Sequence, residues 1–122
     1  MAKKIEKNSI IELCPIRNVV ARFGNKWSLL IILILSENGS TRFNQLGKLI
    51  PDISSKVLAN TLHVLEADGL VSRTVFPEVP IRVEYSLTDT GTSLVPIING
   101  LTQWAITNMK SIISHRKRFE TA

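Results

Sequence analysis

Few side chains in this sequence carry chemistry of their own. Cys14 is the single cysteine, and His63 and His115 are the two histidines, far apart along the chain. One cysteine excludes an internal disulfide framework and a multi-cysteine zinc site, and the histidines form no metal-spaced pair. No GxGxxG, P-loop, GxSxG or HExxH run occurs; these are the short motifs that cradle phosphates, present a nucleophile or hold a metal. The inventory therefore points away from an enzyme and implies no cofactor. A different pattern runs from Ser55 to His63. Ser55, Lys56, Ala59, Asn60 and His63 recur at three- and four-residue spacing, while Leu58, Leu62 and Leu65 repeat on the other side. On a helix this sets a small polar face against an apolar one. Short side chains let a helix approach base edges in a major groove about 12 Å wide, where Asn pairs bidentately with adenine and Lys reaches guanine or phosphate. Ser55, at the helix start, can donate to a phosphate. Glu66 and Asp68 fall at the far end, away from a duplex docked on the N-terminal half. A polar face that is merely solvated has the same pattern, so the surrounding elements decide.

Those elements follow from periodicity and punctuation. Pro15 suits the first position of a helix, and Val19, Val20 and Phe23 mark one face of a short helix closed by Gly24. A second helix starts near Asn25, carries Trp27, Leu30, Ile31 and Ile34, and ends at Gly39. Being apolar almost all round, it is expected to be the buried centre. The β-branched residues of Ile31–Leu35 also fit a strand, but length and bounding glycines favour helix. Phe43, Leu46 and Ile50 predict a two-turn helix stopped by Pro51. Ser54 or Ser55 caps the next helix, which runs to about Ala67 with Gly69 behind it. Leu70–Phe76 and Arg82–Leu87 read as strands joined by a Pro77–Pro80 turn, a β-hairpin. Thr88 or Asp89 caps a last helix with Leu94, Ile97, Leu101, Trp104, Ile106, Met109 and Ile112 or Ile113 on one stripe, Pro96 falling in its first turns or kinking it. Helix, helix, short helix, capped helix and hairpin is the plan of a winged helix-turn-helix, mainly α with a small β-hairpin and a long C-terminal dimerisation helix.

The 122 residues leave room for one domain, 44% apolar and 20% charged, as in a globular chain. Three segments are expected: a basic arm over 1–12, the DNA-binding winged helix over 13–90, and the dimerisation helix with a basic tail over 91–122. The net charge of +5 fits a polyanionic partner. Its placement is less favourable, because residues 40–69 balance and 70–90 carry two bases against three acids. Phosphate neutralisation supplies most affinity for DNA, so selected cations must do it: Arg42, Lys56, and Arg73 and Arg82 on the hairpin. The longest nearly unbroken apolar run, Trp27–Leu35, is too short to span a bilayer. Glu6, Asn8 and Glu12 break up any leader-like stretch. A cytoplasmic location without membrane contact is expected.

Cys14-Pro15, Gly24-Asn25-Lys26-Trp27, Arg42-Phe43-Asn44-Gln45-Leu46, Ile53-Ser54-Ser55-Lys56-Val57-Leu58, Leu65 to Val71 and Pro77 to Thr88 together resemble the HxlR-type bacterial transcriptional regulators over about residues 13–105. The resemblance implies a homodimer on a pseudo-palindromic duplex operator, repressing or activating neighbouring genes, with an N-terminal cysteine that in some members responds to oxidants or electrophiles. His63 stands where an arginine is frequent in relatives, so the operator sequence does not transfer. Independently, the last helix shows more apolar stripe than a small domain covers, and Leu101, Trp104, Met109 and Ile112 are expected at a two-fold interface. Cys14, at a helix N-terminus where the dipole favours thiolate, is the candidate redox sensor; a small buried residue packing the helix start is the competing reading. Two other classes share the sequence pattern: a winged-helix protein-interaction module and a small-ligand-sensing module, neither reading DNA directly.

Overall fold

The computed structural model describes residues 15–121; Cys14 and the 1–12 arm lie outside the described residues. The chain opens with α1 (Pro15–Phe23) and α2 (Lys26–Asn38), whose axes meet at 83°. Asn25 makes the corner: its Oδ1 accepts from the backbone N–H groups of Trp27 (3.0 Å) and Ser28 (2.9 Å), satisfying two donors that a helix start leaves open. Ile31–Leu35 is helical, as length and the bounding glycines imply. Gly39, at φ 70°, ends the helix, its N–H donating to the Leu35 carbonyl at 2.9 Å.

The remaining elements are β1 (Thr41–Arg42), α3 (Phe43–Leu49), α4 (Ser55–Ala67), β2 (Val71–Phe76), β3 (Arg82–Leu87) and α5 (Asp89–Thr121). Ser54, not Ser55, caps α4: its Oγ accepts from the Val57 N–H at 3.1 Å. At the other end the Leu70 N–H donates to Leu65 O (2.9 Å) and the Gly69 N–H to Glu66 O (3.0 Å), with Gly69 at φ 80°. This pair of hydrogen bonds is the Schellman ending, and its accompanying apolar contact falls on Leu65 and Leu70, both buried. Thr88, rather than Asp89, caps α5; its Oγ1 accepts from the Gly91 N–H (3.1 Å) and donates to Gly69 O (2.6 Å). One side chain thus ties the end of α4 to the start of α5. The helix continues through Pro96.

The expected hairpin is extended to three antiparallel strands in the order β1-β3-β2, with Thr41 opposite Tyr85 and Arg42 opposite Glu84. A two-residue strand has no periodicity to read, so only its partner defines it. The core gathers Ile31, Ile32 and Leu35 of α2, Leu46 and Ile50 around α3, Leu58, Leu62 and Leu65 of α4, Leu70, Val71 and Ile98. The architecture is a winged helix-turn-helix with α2 at its centre. Among the described residues no single helix is long and apolar enough to cross a membrane.

Helix α5 is about 50 Å long at 1.5 Å per residue. Leu94, Val95 and Ile98 pack against the core, but Leu101 (57% exposed), Trp104 (56%), Met109 and Ile112 do not. Helix α1 is similarly uncovered at Ile16, Val19 and Val20.

Candidate nucleic-acid interface

With Leu58, Leu62 and Leu65 inward and buried, Ser55, Lys56, Ala59, Asn60 and His63 are all exposed on the opposite side of α4. The polar face anticipated from spacing therefore lies open, covered by no other part of the described chain. Two depressions flank it. One is lined by Asn44, Gly47 and Lys48 of α3 together with Ser55. The other lies between Asn60, Thr61 and Val64 of α4 and Ala21, Arg22 and Asn25 at the α1–α2 corner. Asn60 thus borders a different groove from Ser55.

The wing joins the same surface through α3. Phe43 and Asn44, which border the first depression, also line a hollow with Arg42 and with Pro80, Ile81, Arg82 and Val83 at the wing tip. Wing tip, α3 and the start of α4 form one continuous relief. Asn44 and Lys48 belong to it, and neither was singled out in the sequence. Their exposure follows from the spacing of Phe43, Leu46 and Ile50, which turns Asn44 and Lys48 outward.

The cations fare unequally. Arg42, Lys48, Lys56 and Arg73 are exposed, and among the described residues none of them makes an ion pair closer than 4 Å. Arg82 differs. Its guanidinium reaches Glu78 Oε2 (2.9 Å) and Glu84 Oε2 (3.3 Å), and its carbon sits 3.9 Å from the centroid of the Phe76 ring. The two hairpin arginines are not brought together either. Arg82 pairs across the ladder with Phe76, whereas Arg73 pairs with Tyr85. Directly opposed residues share a face and neighbours alternate, so Arg73 lies on the Val71–Tyr85–Leu87 side and Arg82 on the reverse. The two candidate cations of the hairpin thus sit on opposite faces of the wing.

Of the acids behind α4, Asp68 Oδ1 accepts from Arg22 Nη1 at 2.8 Å, tying α1 to the end of α4, and Glu66 is exposed at the C-terminal turn. At the start of α2, the Lys26 ammonium lies 4.4 Å over the Trp27 ring. Among the described residues no group of His, Cys, Asp and Glu could hold a metal ion.

Comparison with known proteins gives one consistent result. The HxlR-like helix-turn-helix family model matches residues 22–113. An HTH-type transcriptional regulator of Halalkalibacterium halodurans is 40% identical over 111 residues, 91% of this chain and 98% of its own length. One of Methanothermobacter thermautotrophicus is 42% identical over 92 residues, 75% of this chain and 70% of its own. Among solved structures, the redox regulator HypR in its reduced form is similar with a TM-score of 0.76 at 35% identity, covering 82% of this chain and 98% of that one. Its oxidised form gives 0.72 at 37% identity, covering 78% and 97%.

Proposed function

The chain belongs to the HxlR-like helix-turn-helix family of transcriptional regulators, and from that premise we propose that it is a homodimeric, sequence-specific DNA-binding regulator. The observation that carries the reading is the uncovered face of α4, where Lys56, Ala59, Asn60 and His63 stand clear of the fold beside the exposed polar residues of α3. Short residues at Ser55 and Ala59 allow close approach to base edges, Asn60 supplies a donor–acceptor pair for adenine, and Lys56 a cation for guanine or phosphate. Ser55, at the first turn of α4, faces the backbone, and Arg42, Lys48 and Arg73 neutralise phosphates on either side.

Dimerisation rests on the apolar stripe of α5. Leu101, Trp104, Met109 and Ile112 leave a contiguous face that the described residues do not cover, and Leu101 borders a groove shared with Val19, Val20 and Phe23 of α1. A self-complementary patch of this kind suits a two-fold axis, which spaces the two copies of α4 about one DNA turn, ~34 Å, apart on a pseudo-palindromic operator. Repression or activation of adjacent genes, with Cys14 responding to oxidants, completes the reading; the likeness to a redox regulator in both its states supports the last part.

A salt titration tests the DNA-binding part. With about four unpaired cations in each of two protomers on phosphates, log K should fall against log[salt] with a slope of about −7, a loss of roughly 10⁴-fold between 50 and 200 mM. An affinity for a mixed-sequence 40-base-pair duplex that is flat in salt, or no binding at all, refutes the reading and favours a protein-interaction module.

A further inference from the structure

Arg82 is the wing residue whose chemistry the proposed function leaves unused. We propose that it positions the wing rather than binding DNA, clamping the hairpin tip to the lead-in of α3 with Glu78 and Glu84 as its anchors. The inference rests on the DNA-binding reading for its consequence, though not for its geometry.

That geometry engages the guanidinium on three sides. Nη2 lies 2.9 Å from Glu78 Oε2 in the turn and Nη1 3.3 Å from Glu84 Oε2 on the same strand, as ion pairs, and the flat face lies on Phe76. The remaining nitrogen, Nε, is buried without a partner among the described residues, out of reach of an incoming phosphate. Glu84 passes the connection on: its Oε1 accepts from Ser40 Oγ at 2.8 Å, and it stands opposite Arg42 in the ladder. Arg42 leads directly into Phe43, the first residue of α3. The chain of contacts therefore runs from the wing tip through Arg82 and Glu84 to the segment that enters the helix-turn-helix. Two carboxylates neutralise the one guanidinium where it sits, which suits a brace. It also accounts for the acidic balance of residues 70–90, because two of their three acids are spent on Arg82. A planar fork that stacks and bridges two carboxylates is a role lysine does not fill, whereas lysine serves well as a point charge on phosphate.

The two roles give opposite signs in three variants of the full chain, measured on the mixed-sequence duplex. As a brace, Arg82→Lys weakens binding by about tenfold despite its retained charge, Glu84→Gln weakens it similarly, and the Arg82→Lys/Glu84→Gln double variant is no worse than either single one, since all break the same link. The thermal midpoint stays within a few degrees, because the hydrophobic core is untouched. As a phosphate ligand, Arg82→Lys would bind nearly as wild type and Glu84→Gln would bind more tightly, having lost a nearby negative charge; that pattern overturns the proposal. A readout without DNA keeps the two hypotheses separate. Amide hydrogen exchange at Val75, Phe76 and Val83 should accelerate at least tenfold in Arg82→Lys and Glu84→Gln while α2 is unaffected. Unchanged exchange at the wing refutes the brace even where no duplex binds, and loss of wild-type binding with accelerated exchange refutes only the DNA-binding reading.

Discussion

Replacing Gly91 by alanine sets two well-known effects against each other. In an ordinary helix the change would stabilise by about 1 kcal/mol, because alanine is the best helix former and glycine among the worst. Gly91 is not in an ordinary helix. A β-carbon added there would lie 2.1 Å from Leu70 O, 3.1 Å from Leu70 C and 3.2 Å from Leu87 Cδ2. The first distance is about 1 Å inside contact and involves backbone, so the start of α5 must move away from the α4–β2 junction. Overpacking of this kind costs about 1–3 kcal/mol. The same carbonyl accepts the Thr88 N–H at 3.0 Å, and loosening that bond adds about 1 kcal/mol. The sum exceeds the propensity gain, and Gly91→Ala should lose about 1–3 kcal/mol. Urea denaturation followed by far-UV circular dichroism measures this as a lower midpoint at unchanged slope. A midpoint equal to or above that of the wild type would refute the claim that the junction is closed to a single methyl group. Because Thr88 and Gly91 together join α5 to the winged helix, the variant should also weaken duplex binding at concentrations where it remains folded.

Two further outcomes concern the uncovered face of α5 and the single cysteine. Sedimentation at micromolar concentration should show a dimer, and Leu101→Glu should raise its dissociation constant at least about 100-fold, close to 3 kcal/mol, the loss typical of a central interface residue; a wild-type monomer would contradict the role given to α5. Thiol titration of the folded, reduced protein should find Cys14 reactive, and oxidation should change duplex affinity; an unreactive, inaccessible thiol ends the sensor hypothesis and leaves Cys14 as a packing residue.

Much of this fold is written in spacing. Leu58, Leu62 and Leu65 announce the inward side of α4, and by subtraction the outward face of Lys56, Asn60 and His63. Caps were legible as chemistry but not as address: Ser54 and Ser55 are equally able acceptors, and only the backbone geometry around Val57 chooses between them. The strand β1 was invisible because its two residues acquire their conformation from Tyr85 and Glu84, more than 40 positions away. Arg82 is hard to read from sequence for a related reason. Its residue type says cation, while its role depends on Glu78, Glu84 and Phe76 converging on it. Strand alternation did hold a partial signal, since the register that opposes Phe76 to Arg82 puts Arg73 on the other face. The outward position of Asn44 and Lys48 is equally readable from the inward spacing of Phe43 and Leu46, although a helix of only seven residues shows that period over barely two turns.

The central claim is that the outer face of α4 reads bases, and Asn60→Ala tests it most directly. Duplexes selected from a random pool by the wild-type protein are compared with mixed-sequence duplex, before and after the substitution. The account predicts a loss of about 1–3 kcal/mol on the selected duplex and almost none on the mixed one, so that base preference relaxes at one position. An equal loss on both, or none on either, would contradict it.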